Sequence, residues 1–235
     1  MTNNRPIHSA KFLFEKLHFD TLEIMPLAKH PTRYVLVIID DFSCFNQVYL
    51  LSQKSQAELK LLLFINEIKN KIHRWPAYLH TDQGGEFNST QFRTAIEAMG
   101  IVLERGPANS PQTNGICKQF NQALLTKRRC LLAQSNVPIS FWDDAIKYSS
   151  LLINILPSRS LNWKSPVSTL LDHRSTIEPT LNLNQLIPFG LKVFVSRSTG
   201  SNVLPPSKPP LYLGPEDYSD TGCFLDPQSH RLVSS

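Results

Sequence analysis

Up to about residue 52 the apolar positions alternate or run in short β-branched stretches. Phe12–Ile24 alternates loosely, Arg33–Ile39 is a β-branched run, and Phe45–Leu51 is a third apolar segment, so three strands are predicted. The link Asp40-Asp41-Phe42-Ser43 has the length and residue types of a hairpin turn, with both aspartates shaping it. The period then changes to that of a helix. Ser55-Gln56-Ala57-Glu58 reads as a capping box that opens a helix running to about Arg74, ahead of Pro76. A short strand at Ala77–His80, a helix from Thr90 to Met99 stopped by Gly100, and a fifth strand at Ile101–Glu104 come next. Ser110-Pro111 has the form of an N-cap followed by proline at the first helical position, with the helix continuing to about Gln134. A last long helix starts near Ser140-Phe141-Trp142-Asp143 and ends at Pro157.

The resulting order, β-β-β-α-β-α-β-α-α, implies an α/β fold with a mixed sheet: early hairpins give antiparallel neighbours and later crossovers give parallel ones. Beyond this the character shifts. Ten of the 17 prolines lie from Pro157 onward, including Pro205-Pro206 and Pro209-Pro210. Short strands are predicted at Leu191–Ser196, Leu211–Leu213, Gly222–Leu225 and Arg231–Ser234. The expected division is a core domain over residues 6–175 and a proline-rich linker with a small β module over 176–235.

Composition narrows the class. With 235 residues, 41% hydrophobic and 18% charged, the chain can bury a sizeable core and is not intrinsically disordered. Cys44, Cys117, Cys130 and Cys223 form no C-x-x-C pair, and no signal peptide precedes them. They read as reduced thiols of an intracellular protein, nuclear or cytoplasmic. No apolar run approaches the length of a membrane span. Net charge is +5, and its distribution matters more than its sum. From Arg105 to Trp142 there is no Asp or Glu, while Arg105, Lys118, Lys127, Arg128 and Arg129 all occur. A one-sign segment of this kind suits a face that meets phosphate, so these five are the candidate nucleic-acid-binding residues; the alternative is a solvated helix face.

Two acidic residues fall where phosphodiester chemistry would need them. Asp20 lies within the first strand pattern and Asp82 at the end of the fourth. Carboxylates gathered from distant positions can hold two Mg²⁺ ions about 3.5–4 Å apart, one activating an oxygen and the other stabilising the leaving oxygen. Taken singly, each is also an ordinary strand-end or turn aspartate.

Several segments in order carry a resemblance. Asp82-Gln83-Gly84-Gly85-Glu86-Phe87 is similar to the D-N-G-G-E-F signature of retroviral-type integrase cores, and Ser110-Pro111-Gln112-Thr113-Asn114-Gly115 to their S-P-Q-x-N-G. Phe19-Asp20-Thr21 followed by the segment VLVIIDDFS, Phe141-Trp142 with Ile153-Asn154 and Pro157, and the later Phe189-Gly190 and Tyr212-Leu213-Gly214 resemble the copia branch of long-terminal-repeat retrotransposons in particular. The resemblance runs from about residue 11 to the end. It implies a ribonuclease-H-like five-stranded mixed sheet flanked by helices, followed by a small β-rich segment. It also implies trimming and joining of DNA 3′ ends with Mg²⁺ held by Asp20 and Asp82, DNA as partner, and a possible homodimer. On this reading the chain is a piece of a longer Gag-Pol-type polyprotein, without the family's amino-terminal zinc module.

One departure stands out. The family's glutamate follows the N-G pair at a position that here is Lys118, and 35 residues separate Asp82 from Lys118, the family's D-D-35-E spacing. The register is kept and the ligand is lost, because an ammonium donates hydrogen bonds and cannot coordinate a cation. Without ions, Lys118 is expected to serve as counter-charge to Asp20 or Asp82. The leading expectation is therefore a retrotransposon-derived integrase core that has lost its chemistry. The alternatives are a binding or assembly module retained without catalysis, and an active transferase using an unexpected ligand.

Overall fold

The computed structural model describes residues 10–25, 28, 30–81, 87–105, 115–173, 186–193, 209–215, 222–226 and 232–234. Five strands, β1 (Lys16–Glu23), β2 (Tyr34–Asp40), β3 (Asn46–Leu51), β4 (Tyr78–Thr81) and β5 (Val102–Arg105), form one sheet in the order β3-β2-β1-β4-β5. β1, β2 and β3 pair antiparallel, whereas β4 lies parallel to both β1 and β5. The mixed sheet expected from the element order is present.

Between and after these strands run α1 (Gln56–Ile72), α2 (Thr90–Ala98), α3 (Gly115–Gln134), α4 (Trp142–Ile155) and α5 (Pro166–Asp172). The strand period of two sorts side chains into two layers. Leu17, Phe19, Leu36 and Ile38 join Leu61, Phe64 and Ile65 of α1 and Phe92 and Ile96 of α2 in one core. Val35, Val37 and Ile39 face the other way, onto Phe120 and Leu124 of α3 and Trp142 and Ile146 of α4. β2 is thus buried on both faces, which its unbroken Val-Leu-Val-Ile-Ile run requires.

The turn after β2 is built on Asp40, whose carboxylate accepts from the Ser43 N–H and hydroxyl at 3.0 and 2.6 Å and from the Phe14 N–H at 2.9 Å. Burial pushes its carboxyl up to about 6 in spite of those bonds. Two local expectations differ. Ser55 makes no side-chain cap on α1; instead Glu58 reaches across to accept from the Ser89 N–H and hydroxyl at 3.1 and 2.6 Å. Ser89 in turn caps α2 through the Phe92 N–H. The glutamate joins two helices rather than closing its own. α5, which the hydrophobic pattern did not reveal, starts with the reciprocal capping pair Ser165 and Ser168 and proline at its first position.

At the C-terminal end β6 (Leu211–Pro215), β7 (Gly222–Leu225) and β8 (Leu232–Ser234) form an antiparallel meander. The strand expected at Leu191–Ser196 reduces to one bridge, Lys192 to Leu211, with residues 194–196 outside the described residues, as is the Pro205-Pro206 segment. This meander docks on α4: Tyr148, Leu151 and Ile155 share a core with Phe189, Leu211, Leu213, Phe224 and Leu225. The Tyr148 hydroxyl donates to the Ile187 carbonyl at 2.7 Å. Gly190 enters this junction at φ +76°, and a Cβ there would lie 2.3 Å from that of Ser135, so no other residue fits.

α4 is fastened to the sheet edge by a buried amide network. Asn154 Oδ1 accepts from the Asn46 backbone N–H at 2.9 Å and from its side-chain amide at 2.6 Å, Asn154 Nδ2 donates to the Asn46 carbonyl at 2.8 Å, and Ser150 donates to Asn46 Oδ1 at 2.6 Å. Removing one member leaves several buried polar groups without partners. Asn154→Ala is expected to cost about 2–4 kcal/mol in urea unfolding, whereas a substitution at an exposed α1 position such as Asn70→Ala stays within about 0.5 kcal/mol.

Candidate functional site

The central strand carries polar side chains on one face. Lys16, His18 and Asp20 alternate with the core residues Leu17 and Phe19, so all three project toward the α3 and α4 layer. Each has a partner. Lys16 Nζ meets Glu104 of β5 at 2.6 Å, and His18 Nε2 meets Asp41 at 3.0 Å. His80 of β4 lies 3.5 Å from Glu104 and packs edge-on against His18, ring centroids 5.0 Å apart. Asp20 Oδ2 accepts from Asn121 Nδ2 of α3 at 2.8 Å, and its Oδ1 accepts from the Thr21 N–H at 2.8 Å.

Electrostatics follow from this row. Burial pushes the Glu104 carboxyl up, but the Lys16 ammonium bonded to it, with His80 beside it, holds it below the usual carboxylate range. Asp41 behaves likewise: burial raises it, and bonds from His18 and the Ala10 N–H, with Lys16 nearby, bring it below its ordinary value.

Of the residues singled out in the sequence, Asp20 stands mid-strand opposite Val37 and against α3. Asp82, with Gln83–Glu86, lies outside the described residues, as do residues 106–114 and with them the segment from Ser110 to Asn114. α3 turns Cys117, Phe120, Asn121 and Leu124 inward. Lys118 is exposed in its first turn, and α3 contains no Asp or Glu. The bond from α3 to Asp20 comes from Asn121, a residue the sequence reading passed over. Only its spacing signals it, since 117, 121 and 124 mark one helical face.

The basic residues do not share one face. Lys118 and Arg129 are eleven residues apart, about 20° around the helix, whereas Lys127 lies about 180° from Lys118. Arg128 turns inward, where burial, with Arg129 adding to it, lowers its guanidinium from the ordinary value, and it lines a small cavity with Met25, Leu132 and Trp142. Arg105 ends β5 and donates to the Phe87 carbonyl at 3.0 Å and to Asn88 Oδ1 at 3.1 Å, tying the strand to the entrance of α2.

Similarity to known proteins agrees with this architecture. The chain is 27% identical over 205 residues to the retrovirus-related Pol polyprotein from transposon TNT 1-94 of Nicotiana tabacum, covering 86% of this chain and 15% of the relative. It is 29% identical over 168 residues to that from transposon RE2 of Arabidopsis thaliana, covering 72% and 11%. It is 24% identical over 205 residues to the Ty1-NL2 Gag-Pol polyprotein of Saccharomyces cerevisiae, covering 85% and 11%. The homologues of this chain are retrovirus-related transposon Pol polyproteins. The chain spans less than a sixth of each of these three relatives. No family model matches it.

Among solved structures, the catalytic core domain of BIV integrase superposes with TM-score 0.50 at 14% identity, covering 68% of this chain and 95% of that one. A simian T-cell lymphotropic virus intasome, solved in complex with PP2A regulatory subunit B56 gamma, superposes with TM-score 0.58 at 19% identity over 97% of this chain and 78% of that one. The fold is therefore the ribonuclease-H-like fold of integrase cores, with a second small sheet at the C-terminal end. No helix among the described residues is long and apolar enough to cross a membrane.

The half-buried Lys16–Glu104 pair gives a test of the polar row. Lys16→Met should destabilise by about 1–3 kcal/mol, because Glu104 is left without its cation, and adding Glu104→Gln should recover much of the loss. Glu104 has a depressed folded pKa, so the pair's contribution is present above the ordinary glutamate range and is lost as pH falls through the folded value. A double-mutant cycle followed by thermal unfolding should therefore show coupling at pH 7 that fades as pH falls below the ordinary glutamate range.

Proposed function

We propose that this chain is an integrase-core fragment of a retrotransposon polyprotein that retains DNA contact and lacks strand-transfer chemistry. The observation that carries this is Lys118: it occupies the first turn of α3, the helix that touches Asp20, and that helix offers no carboxylate at any position. A two-ion site needs acidic oxygens from three places. β1 supplies Asp20, and Asp82 follows β4 in sequence, outside the described residues. α3 supplies an amide to Asp20 and an exposed ammonium one turn away. The described residues therefore do not fit two Mg²⁺ ions, and no catalytic step is assigned to them. Within the expected pair, Asp20 and Asp82 are vestigial ligands. Glu104 does not replace the missing one, since it is bound to Lys16.

Lys118 and Arg129, on one stripe of α3, are the residues best placed for phosphate, with Lys127 on the opposite flank. Arg105 and Arg128 serve the fold first, the former at the β5 terminus and the latter against Trp142. A homodimer belongs to the same proposal. So do a nuclear or cytoplasmic location and the division into a core over 6–175 and a β-rich segment over 176–235.

Binding of the full chain to duplex DNA of arbitrary sequence, measured across a salt series, tests this reading. Affinity should fall linearly on a log–log plot, and Lys118→Glu with Arg129→Glu should reduce the slope by about 2. Lys127→Glu alone should act independently of that pair. In the same preparations, oligonucleotides bearing element-like ends should yield no joined product with Mg²⁺ or Mn²⁺. DNA affinity unchanged by the double reversal, or metal-dependent joining by the wild-type chain, would contradict the proposal.

A further inference from the structure

Away from Asp20 and Lys118, a cavity of about 340 Å³ opens where α4 meets the C-terminal meander. Its lining includes Thr32, Lys147, Tyr148, Gly214 and Cys223, together with His30, Asp143 and Asp144. One ligand atom from each of the last three lies within 4.8 Å of the other two. His30 comes from the connection between β1 and β2; Asp143 and Asp144 come from the first turn of α4.

Three features single this group out from an ordinary ion pair. His30 Nδ1 meets Asp143 Oδ2 at 2.8 Å, with the Asp143 side chain 1% exposed and the imidazole 38% exposed at the cavity mouth. Asp143 Oδ1 already accepts the Asp144 N–H at 3.1 Å, which fixes its rotamer. Asp144 Oδ2 is shut off from solvent and has no hydrogen-bond partner among the described residues. A buried carboxylate oxygen without a partner is costly, and a cation is the partner that removes the cost.

We propose that His30, Asp143 and Asp144 bind one divalent transition-metal ion of the Zn²⁺ class, which ties the β1–β2 connection to the start of α4. One imidazole nitrogen and two carboxylate oxygens form a mixed set that suits Zn²⁺ better than Mg²⁺, which prefers oxygen alone. Ligand distances of about 2.0–2.2 Å place tetrahedral donors about 3.4 Å apart, so the wider separations must close by roughly an ångström while the His30–Asp143 contact opens slightly, within reach of the part-exposed imidazole. The cavity supplies room for water at the remaining position. Lys147 limits affinity by its charge and sets the expectation in the micromolar rather than the nanomolar range. The set uses neither Asp20 nor Lys118, so its failure would leave the DNA reading untouched.

The test uses the full untagged chain, stripped with EDTA, titrated with Zn²⁺ by competition with a chromogenic chelator, and followed by thermal unfolding and by Co²⁺ absorption. One ion per chain should bind with a micromolar Kd, and a hundredfold excess over Kd should raise Tm by about 5–10 °C. Asp144→Asn and His30→Gln, both at partly exposed positions, should keep the EDTA-state Tm and circular dichroism while weakening Zn²⁺ at least tenfold. Cobalt should give d–d bands without a thiolate charge-transfer band, and Cys130→Ser and Cys223→Ser should bind as the wild type does. No saturable binding, binding indifferent to Asp144→Asn, or a thiolate band removed by either cysteine substitution would overturn the assignment.

Discussion

Strand β1 has a hydrogen-bonded neighbour on each side and a helical layer on each face, so the charged groups of its buried half must find their partners within the protein, although among the described residues His18 Nδ1 and Thr21 Oγ1 are left without one. Lys16, His18 and Asp20 sit on the face that meets α3 and α4, and their partners come from β5, from the turn after β2 and from α3. That requirement fixes more than stability. It brings β5 up to Lys16, seats the Asp40-Asp41 turn against His18, and orients α3 so that Asn121 reaches Asp20. The integrase-core fold is assembled around a row of polar contacts, with the apolar layers on either side holding it closed.

The same constraint gives Lys118 its meaning. An acid at that point of α3 would add a negative charge on the helix that touches Asp20, which a bound cation would offset. A lysine leaves Asp20 with an amide donor and puts a positive charge at the surface, suited to phosphate. On the proposed reading, a side chain that cannot hold a metal at this position adds instead to the charge available for DNA. Further along, α4 links the sheet edge, through Asn46 and Asn154, to the C-terminal meander, through Tyr148 and Leu151. The described residues around Phe189, β6 and β7 therefore pack onto the core through α4.

Much of this was legible in the sequence, because strands with a period of two and helices with a period near 3.6 write their burial directly into residue order. β2 is an example: its Val-Leu-Val-Ile-Ile run allows no exposed face. Asp20 and the Lys118 departure were legible through ordered motifs at fixed spacing. What was not legible depends on contacts between distant residues. Glu58 looked like half of a local capping box and instead serves Ser89, 31 positions away. The acid-free block looked like one basic face, but helical geometry separates Lys127 from Lys118 and turns Arg128 inward. Asn121 carried no motif of its own. His30, Asp143 and Asp144 have no metal-ligand spacing at all, since 113 positions separate His30 from Asp143. A search of local patterns for zinc finds nothing there for that reason.

On the proposed reading, lysine at position 118 leaves no Mg²⁺ site around Asp20. Calorimetric titration of Mg²⁺ into the EDTA-stripped chain, read against Lys118→Glu and Asp20→Ala, addresses it directly. The wild type should show no saturable Mg²⁺ binding at millimolar concentration, and Lys118→Glu should give a binding isotherm that Asp20→Ala abolishes. Micromolar Mg²⁺ binding by the wild-type chain that is lost in Asp20→Ala would contradict it.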